Sequence, residues 1–565
     1  MDFTKCLPSI DAFANQNYFS YSVYRPTDGN LDSIAAKWDL TQWGAFIQDT
    51  WQIGNLSLQY GARYDLPKVS SAPMANPTFN AAYPGYPNNA TVDGNGVFEP
   101  RASFNYAFDT ERATQLRGGI GLSEGAPPGV WLSNPYTNNG LSLTSYSSSN
   151  GTGFTADPNN PLIPGNVRKG GSPEVDVTDG NFRMPTVWKA SLGFDHQLPW
   201  SNLVFTAEVE HLETKDAVRF QDLNLGASTG ALPDGRDSYW TTTDPNAFRT
   251  VGKTATGQNI CATTNGVCAA ARANRDPRFG NVIYLSNTSK GQATYGTLQL
   301  SKPFTADSDW SGSVGFVFGS SKDVSSGNEK VAASTWANDA VFNPNADAVG
   351  HSNFEINRRI IASLSWQHAF FGDYATSVSA FYDGHTGQPY SWVFGNDVSG
   401  IAATGTSAPL GLAYIPKPGD VLFQAGTKQA TIDQFYTYMG NNSYLKGREG
   451  SVAERNGAHS PWVNELDLAI RQEIPGLFKG NRGELRLDVF NLTNMINKRW
   501  GQVRDVAYPY NRSLANFAGV DPVSGKYVYA LPVDAKGNYN PGSFVREDDR
   551  AQSRWSLQLT ARYTF

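Results

Sequence analysis

The sequence predicts an all-β fold in which antiparallel strands form a transmembrane β-barrel. The first observation is the last stretch, residues 554–565, where apolar and polar side chains alternate up to a terminal Phe565. Alternation with period 2 indicates a strand with one apolar face, and about 9–11 tilted residues cross a bilayer. The second observation is that short and long connections alternate along the chain, as in bacterial outer-membrane barrels. An edge strand of a soluble β-sandwich is the alternative for the last stretch, but such strands are normally short or blunted.

Composition narrows the class of protein. The chain has 565 residues, of which 17% are charged and 13% aromatic, and its formal net charge is -6. This acidic balance argues against nucleic-acid binding. No run of 18 apolar residues occurs, so the sequence predicts no transmembrane helix. The mean hydropathy of -0.41 is compatible with a barrel, because half of each barrel strand is polar.

The first six strands are predicted as three hairpins with short turns. In residues 56–64 every even-numbered position is apolar or aromatic, and the odd-numbered positions between them are polar or glycine. The second and third hairpins turn at Asp109–Arg112 and Leu198–Ser201, which are rich in turn-forming residues. The six strands are 42–51, 56–64, 99–108, 115–122, 186–195 and 202–212.

Seven further strands complete the pattern. Residues 359–368 alternate clearly and turn at Phe370–Asp373, and the next hairpin turns near Pro475–Asn481. The seven strands are 294–302, 310–320, 359–368, 374–382, 464–472, 483–491 and 554–565. Aromatic residues gather at the short turns, as in the aromatic girdle of one membrane interface; they are Trp51, Phe108, Trp200, Phe304, Phe370, Phe371, Phe478 and Phe565.

The long connections define the predicted domain organisation. Residues 1–40 are predicted to be the remnant of an extracellular loop, and residues 41–565 the C-terminal part of a transmembrane barrel. Thirteen strands is an odd number, whereas bacterial antiparallel barrels have an even one, and the N-terminus lacks the pattern of a signal peptide. We therefore expect the chain to be the C-terminal part of a longer protein. The long loops are about 65–97, 123–183, 215–292, 323–355, 384–462 and 495–553.

Several motifs together resemble the TonB-dependent outer-membrane transporters, and within them the large Oar-like receptors. They are Trp43–Trp51 (WGAFIQDTW), Leu56–Asp65 (LSLQYGARYD), Asn357–Trp366, Asp488–Asn494 and the strand that ends in Phe565. The resemblance implies a 22-strand barrel occluded by an N-terminal plug domain, of which this chain would hold about 13 strands. It also implies localisation in the outer membrane of a Gram-negative bacterium. By this resemblance, the plug and about nine preceding strands would be missing from this sequence.

The resemblance also assigns roles to particular residues. Tyr563 and Phe565 resemble the C-terminal signal that outer-membrane barrels present to the barrel-assembly machinery. Charged residues at inward positions are expected to form a polar network that faces the lumen and, in the family, the plug. The network that we predict on the last three strands comprises Asp467, Arg471, Glu484, Arg486, Asp488 and Arg562; Arg63, Arg101, Arg117, Lys189, Glu208 and Glu210 are inward on earlier strands.

Cys261 and Cys268 lie seven positions apart in a long loop, and we interpret them as a possible disulfide. Two unpaired thiols remain the alternative, and a metal site is disfavoured because two further ligands are lacking nearby. No HExxH or Gly-x-Ser-x-Gly motif occurs, so the sequence predicts no catalytic residues, no metal site, no cofactor and no enzyme activity. The Asp/Asn-rich pieces 157–160 and 343–347 lack EF-hand spacing and are interpreted as turns.

The sequence therefore predicts a TonB-dependent transport or receptor protein whose extracellular loops capture a large substrate for uptake or export. Substrate-binding residues are unknown, although loops 123–182, 384–461 and 495–552 are rich in Tyr, Trp, Asn and Asp. Predicted partners are outer-membrane lipid, the barrel-assembly machinery, an unknown substrate and, only through the missing plug, the TonB complex; nucleic acid is not expected. One alternative is a passive porin-like barrel of 14 or 16 strands that recruits Tyr18–Tyr24 and Lys526–Ala530. Another is a soluble extracellular β-rich protein that binds carbohydrate.

Overall fold

A computed structural model describes most of the chain. The described residues are 9–153, 168–169, 171–254, 258–327, 329–402, 410–478, 480–546 and 553–565. The turn at residues 157–160 and the first eight residues of the predicted loop remnant lie outside these ranges.

Thirteen strands of the described residues form one antiparallel path in which each strand pairs with its neighbour in the sequence. Every predicted strand is present, so the predicted fold class is confirmed. The main difference is β6, which continues to Asp222 instead of ending at Leu212, and its last part pairs with the separate strand Val282–Thr288. The strands are β1 Leu40–Ile53, β2 Leu56–Val69, β3 Val97–Ala107, β4 Thr114–Glu124, β5 Thr186–Gln197, β6 Val204–Asp222, β7 Gln292–Lys302, β8 Trp310–Asp323, β9 Arg358–Phe371, β10 Tyr374–His385, β11 Val463–Pro475, β12 Arg482–Phe490 and β13 Ser556–Thr564.

One face of this sheet is apolar and open. Ile47 is 76% exposed and Leu559 is 77% exposed, and Leu487 lies opposite Leu559 in the β12–β13 register. An apolar surface that extends over a whole sheet face is suited to lipid rather than to water. All eight aromatic residues that the sequence places near the short turns are exposed, as an interfacial girdle requires; they are Trp51, Phe108, Trp200, Phe304, Phe370, Phe371, Phe478 and Phe565.

The sheet has two open edges among the described residues. β1 pairs only with β2, and β13 pairs only with β12. All 14 residues of β1 are exposed. Because neighbouring strands are antiparallel, β1 and β13 run in the same direction. Unpaired backbone N–H and C=O groups cost several kcal/mol each in hydrocarbon, so a membrane-embedded sheet edge needs a hydrogen-bonding partner.

The long connections fold into a packed unit, here called the cap, which comprises the described residues between the strands at the end of the sheet opposite the short turns. The sequence predicts loops there, and the structure instead shows shared hydrophobic cores. One core is built mainly from the connections β10–β11 and β12–β13, including Trp392, Phe394, Phe435, Leu514 and Tyr529, and Leu232 of the β6–β7 connection joins it. A second core joins residues of five connections, including Trp131, Phe182, Ile283, Trp336 and Ile401. Burying this much apolar surface is what holds the connections together.

Short elements build the cap. The helices are α1 Ile10–Ala14, α2 Pro77–Ala82, α3 Gly129–Thr137, α4 Ala332–Ala337, α5 Gln429–Asn441 and α6 Leu492–Ile496, and the 3-10 turns are Leu31–Ile34, Leu223–Leu225 and Pro245–Ala247. No helix among the described residues is long and apolar enough to cross a membrane. The remaining strands are Asn17–Pro26, Leu143–Thr152, Arg168–Lys169, Val175–Thr178, Gly230–Ala231, Asp237–Ser238, Thr250–Lys253, Asn259–Cys261, Val282–Thr288, Gly350–His351, Pro389–Phe394, Tyr414–Ile415, Leu422–Phe423, Ser451–Val452, Ala458–His459, Arg504–Asp505, Asn511–Val520, Tyr527–Ala530 and Val545–Arg546.

Local sequence explains these short elements. In α2, the side chain of Asn76 accepts a hydrogen bond from the Phe79 N–H, and Pro77 occupies the first helical position. Both features are preferred at helix N-termini, because the cap satisfies an orphan donor and proline lacks one. The turn at 343–347 is also structural, since Asn345 Oδ1 accepts hydrogen bonds from the Asp222 N–H (2.8 Å) and the Trp336 Nε1–H (3.2 Å).

Two segments considered for a smaller, complete barrel lie elsewhere. Strand Asn17–Pro26 pairs with Leu143–Thr152, and Tyr527–Ala530 pairs with Asn511–Val520 and Leu422–Phe423. Neither joins the path from β1 to β13. The expectation that these segments would complete a barrel of 14 or 16 strands is therefore wrong, because their hydrogen-bonding partners are cap strands.

Candidate functional site

The polar face of the last three strands carries the predicted network. Residues directly opposite one another in an antiparallel pair share a face. Arg471 lies opposite Arg486, and Glu484 lies opposite Arg562. Side chains alternate between the two faces along each strand, so this register places all six predicted residues on the face opposite Leu487 and Leu559. The six are Asp467, Arg471, Glu484, Arg486, Asp488 and Arg562.

These charges neutralise one another locally. Arg471 Nε lies 3.1 Å from Glu484 Oε2, and Arg471 Nη2 lies 2.5 Å from an oxygen of Glu473. Arg486 Nη2 lies 2.7 Å from Asp488 Oδ1. The two arginines face each other across β11 and β12, and each has its own carboxylate, which reduces their repulsion. Sequence reasoning omitted Glu473, although its odd-numbered position on the same strand placed it on this face.

Similar ion pairs continue along the polar face of the sheet. Arg117 binds Asp195 at 3.2 Å and Glu208 at 2.7 Å. Further pairs are Lys189–Glu210 (2.7 Å), Arg359–Asp383 (2.6 Å) and Arg63–Asp65 (2.5 Å). We call this face, with its paired charges, the charged wall. Asp195 and Asp383 were not predicted, although each follows the inward phase of its strand.

A polar pocket of about 340 Å³ opens in the charged wall across β1 to β5. Gly118 and Gly119 line it and leave it room, because a side chain at Gly119 would meet Ser103. The side chains around it carry hydroxyl, amide and guanidinium groups; they include Thr50, Gln59, Ser103, Asn105, Arg117 and Ser191. Since Arg117 is already paired with two carboxylates, the pocket offers hydrogen bonds to neutral polar groups rather than a strong positive field.

A second, apolar groove of about 610 Å³ lies on the lipid-facing side. It passes over Gly296, and Leu192, Val209, Leu298 and Phe318 contribute apolar side chains to its lining. Its position on the apolar face makes it part of the surface that contacts lipid chains.

The cap and the sheet are tied together around Glu355, just before β9. Its carboxylate accepts a hydrogen bond from the Ser321 N–H (2.7 Å) and lies 3.0 Å from His351 Nδ1 and 3.6 Å from His459 Nε2. Burial raises the carboxyl pKa, but the hydrogen bonds from His351, His459 and Ser321 outweigh it and hold the pKa of Glu355 well below its usual range. Glu355 is therefore a carboxylate that links three segments of the chain at neutral pH.

Many aromatic residues of the cap lie in its hydrophobic cores and are not available to a ligand, and the expectation that the loops form the ligand surface stays a prediction. Trp131, Trp336, Tyr390, Trp392 and Tyr529 are all in hydrophobic cores. The larger aromatic side chains that remain exposed on the long connections are Tyr86, Phe354, Trp462, Trp500, Tyr508 and Trp555, and Phe13, Phe19 and Tyr24 are exposed before β1. Composition alone could not separate the two groups, because both occur in the same connections.

The remaining predicted residues are placed as follows. Cys261 and Cys268 are joined by a disulfide at the hairpin Thr250–Lys253 and Asn259–Cys261. The Tyr563 hydroxyl accepts hydrogen bonds from the Leu477 N–H (3.1 Å) and from Asn481 Nδ2 (2.9 Å) at the last short turn. Phe565 is 97% exposed. In the described part of the chain, no group of three or more His, Cys, Asp and Glu side chains is arranged to hold a metal ion.

An antiparallel sheet with a lipid-suited face, a polar face and long connections at one end defines the class of outer-membrane β-barrel proteins. Comparison with protein families gives the same result. The family model described as the outer membrane beta barrel domain matches residues 20–519. The chain belongs to this family, and its location is the outer membrane of a Gram-negative bacterium.

Solved structures of outer-membrane transporters and receptors are similar to this chain over 93% of its length. The outer membrane transporter YddB from Escherichia coli is 10% identical, with a TM-score of 0.43 and 45% of its own length covered. The copper transporter OprC is 11% identical (TM-score 0.37, 48% covered), and a mutant of the ferric enterobactin receptor PfeA from Pseudomonas aeruginosa is 12% identical (TM-score 0.37, 45% covered). The chain thus spans about half the length of these structures. No curated protein matches the sequence.

Proposed function

We propose that this chain is the barrel portion of a TonB-dependent outer-membrane transporter or receptor of the Oar-like type, which moves a large substrate captured at the cap. The observation that carries the proposal is the open thirteen-strand sheet whose polar face carries ion pairs on β2, on β4 to β6 and on β9 to β12. An open sheet in a membrane requires closure, and a wall of this polarity requires water or a polar occupant.

The open edges constrain how closure occurs. β1 and β13 run in the same direction, so joining them directly would create a parallel pair in an otherwise antiparallel sheet. An odd number of additional strands restores antiparallel pairing at both edges. We propose that such strands belong to the same protein, and nine of them would give the 22 strands that the family resemblance implies.

The charged wall is suited to contact with a polar occupant of the lumen that can be removed. Several of its arginines are paired with carboxylates of the wall itself, as in Arg117–Glu208 and Arg471–Glu484, so these charges stay compensated when an occupant moves away. A plug domain coupled to the TonB complex fits this role. Movement of the plug would open the lumen, and the cap would present the substrate above it.

The size of the native protein tests the first part of the proposal. We expect an antibody against the exposed surface of the last long connection, residues 495–553, to detect a band well above 61.5 kDa in native outer membranes. A band at 61.5 kDa in that fraction would contradict closure by strands of the same protein. Closure by strands of another polypeptide chain would then be favoured.

Energy coupling needs a separate experiment, in which spent growth medium is compared between wild type, a deletion of this gene and a deletion of tonB. Wild-type cells should deplete certain compounds from the medium. We expect these compounds to remain in the medium of each single deletion and of the double deletion, at the same concentration in all three. Depletion that requires this gene but not tonB would refute TonB dependence and indicate a passive channel.

We also propose that Tyr563 and Phe565 form the signal read by the barrel-assembly machinery. Tyr563 is anchored to the last short turn, whereas Phe565 is exposed and contributes little to packing. F565A should therefore lower the amount of protein in the outer membrane without changing the thermal unfolding of the molecules that do assemble. The control is F478A, which removes an exposed phenylalanine from the neighbouring turn; equal loss in both variants would argue against a specific signal.

A further inference from the structure

A buried and a half-buried carboxyl group, those of Asp176 and Glu174, lie together in the cap, away from the charged wall. Glu174 and Asp176 are two positions apart at the strand Val175–Thr178 and share one of its faces. This strand runs parallel to Val282–Thr288, with Val175 opposite Val282. Asp176 is 1% exposed, so its carboxyl group has no access to bulk water.

The hydrogen bonding of this pair is incomplete. The Asn138 side-chain amide donates to Asp176 Oδ2 at 2.8 Å and to Glu174 Oε1 at 3.3 Å. Asp176 Oδ1 is buried and has no hydrogen-bond donor within the described part of the chain. The two carboxyl groups lie within hydrogen-bonding reach of each other, yet two carboxylates have no proton to share. A buried, unsatisfied carboxylate oxygen is costly and calls for a missing ligand or proton.

The local charge balance is negative. Asp222 is a third carboxylate close enough to influence both groups, and it forms a 2.8 Å ion pair with Arg272, in which both side chains are fully buried. These four groups together have two negative charges in excess when all are ionised. Burial, followed for Asp176 by the charge of Glu174, raises both pKa values, to about 7 for Glu174 and well above its usual range for Asp176.

We propose that a hard divalent cation, Ca²⁺, binds between Glu174 and Asp176. One such ion supplies the two missing positive charges and the partner that Asp176 Oδ1 lacks. Ca²⁺ accepts six to eight oxygen ligands with flexible geometry, so two carboxylates can be completed by amide, main-chain and water oxygens. A half-turn of the Asn138 amide would replace Nδ2 by Oδ1 and provide a third side-chain oxygen.

The position of the site gives the ion a structural role. Asn138 ends α3, its backbone C=O accepts a hydrogen bond from the Asp176 N–H at 2.8 Å, and the strand that carries Asp176 pairs with Val282–Thr288. A cation held here would join the end of α3 to two cap strands. Its binding is therefore expected to stabilise the cap and not to depend on transport.

The test is Ca²⁺ binding by the full-length protein, purified in detergent and stripped with EDTA, at pH 7.5. Titration calorimetry with CaCl₂ should show a binding site that D176N lacks, and saturating CaCl₂ should raise the unfolding temperature of the cap by about 2–4 °C or more. D521N is the matched control, because it removes an exposed carboxylate of the cap and should keep the full Ca²⁺ response.

Two results would overturn the proposal. One is a Ca²⁺ response in D176N and in the milder variant E174Q that is the same as in wild type. If D176N does not fold, E174Q alone provides this test. The other is a wild-type protein that does not respond to CaCl₂ but becomes more stable between pH 8 and pH 6, because the carboxyl pair would then share a proton instead of a cation.

Discussion

Replacing Trp392 by alanine should open the cap while leaving the sheet intact. Trp392 is fully buried in the strand Pro389–Phe394, its ring lies 6.0 Å from that of Tyr438, and the Arg512 guanidinium stacks 4.7 Å above it. Removing a buried tryptophan costs about 3–5 kcal/mol, and losing a desolvated cation–π contact adds about 1–2 kcal/mol. A loss of at least about 4 kcal/mol raises the fraction of opened cap roughly 10³-fold.

Limited proteolysis of the protein in outer membranes, followed by mass spectrometry, measures this opening. We expect W392A to be cleaved rapidly between β10 and β11 and between β12 and β13, while the barrel keeps its heat-modifiable migration on gels. The control is W500A, since Trp500 is 55% exposed and belongs to the same cap. Equal protease resistance of W392A and wild type would refute a cap held by its aromatic core. Loss of the heat-modifiable band would refute the independence of cap and sheet.

Three further predictions concern charge and the disulfide. R471E should lower the thermal midpoint of the barrel, and the exchange R471E/E484R should recover part of the loss. Because both side chains are partly exposed, we expect a coupling free energy of about 0.5–1 kcal/mol. No recovery in the exchange variant would show that the pair does not interact. The pKa of Glu355 is depressed in the folded protein, so its contribution to stability is present above the unfolded pKa of about 4.3 and is lost as the pH falls below it. In E355Q, the stability of the cap should therefore fall less steeply with decreasing pH than in wild type. Equal slopes at acid pH would contradict this. Reducing the disulfide, or changing Cys261 and Cys268 to serine, should destabilise the hairpin by about 2–3 kcal/mol. In the wild-type protein, protease should cleave the hairpin only after reduction. Cleavage that is insensitive to reductant would argue against a stabilising bond.

The sheet was predictable because each strand faces lipid on one side and a polar space on the other. That asymmetry imposes period-2 alternation, as in Leu56–Val69 and Ser556–Thr564, and the strands then need only short turns to pair in order. The prediction failed where the asymmetry ends. Beyond Leu212, β6 leaves the lipid-facing region, and its pairing with Val282–Thr288 depends on a partner about seventy residues away rather than on its own pattern.

The cap was missed for the same physical reason. Pro389–Phe394 pairs in parallel with Asn511–Val520, and the second core draws residues from five connections. Such contacts between distant segments leave no periodic trace in either segment. Tyrosine and tryptophan also suit both a packed core and a ligand surface, so the same composition supports opposite expectations. The charged wall was partly predicted, because inward positions follow from the phase of each strand, but which arginine binds which carboxylate depends on the register.

Under the proposed transport function, the packed cap and the ion pairs of the wall constrain which substrates we expect to be selected. Because the loops share two hydrophobic cores, we expect them to move together, and we expect recognition at the surface to fall to exposed side chains such as Phe354, Trp462 and Trp500. Below them, paired cations such as Arg117, Arg359 and Arg471 are expected to attract charged solutes less strongly than free ones would. If the proposed transport holds, hydrogen bonding and shape, as in the pocket beside Arg117, should decide what passes and should favour large neutral polar groups over small ions.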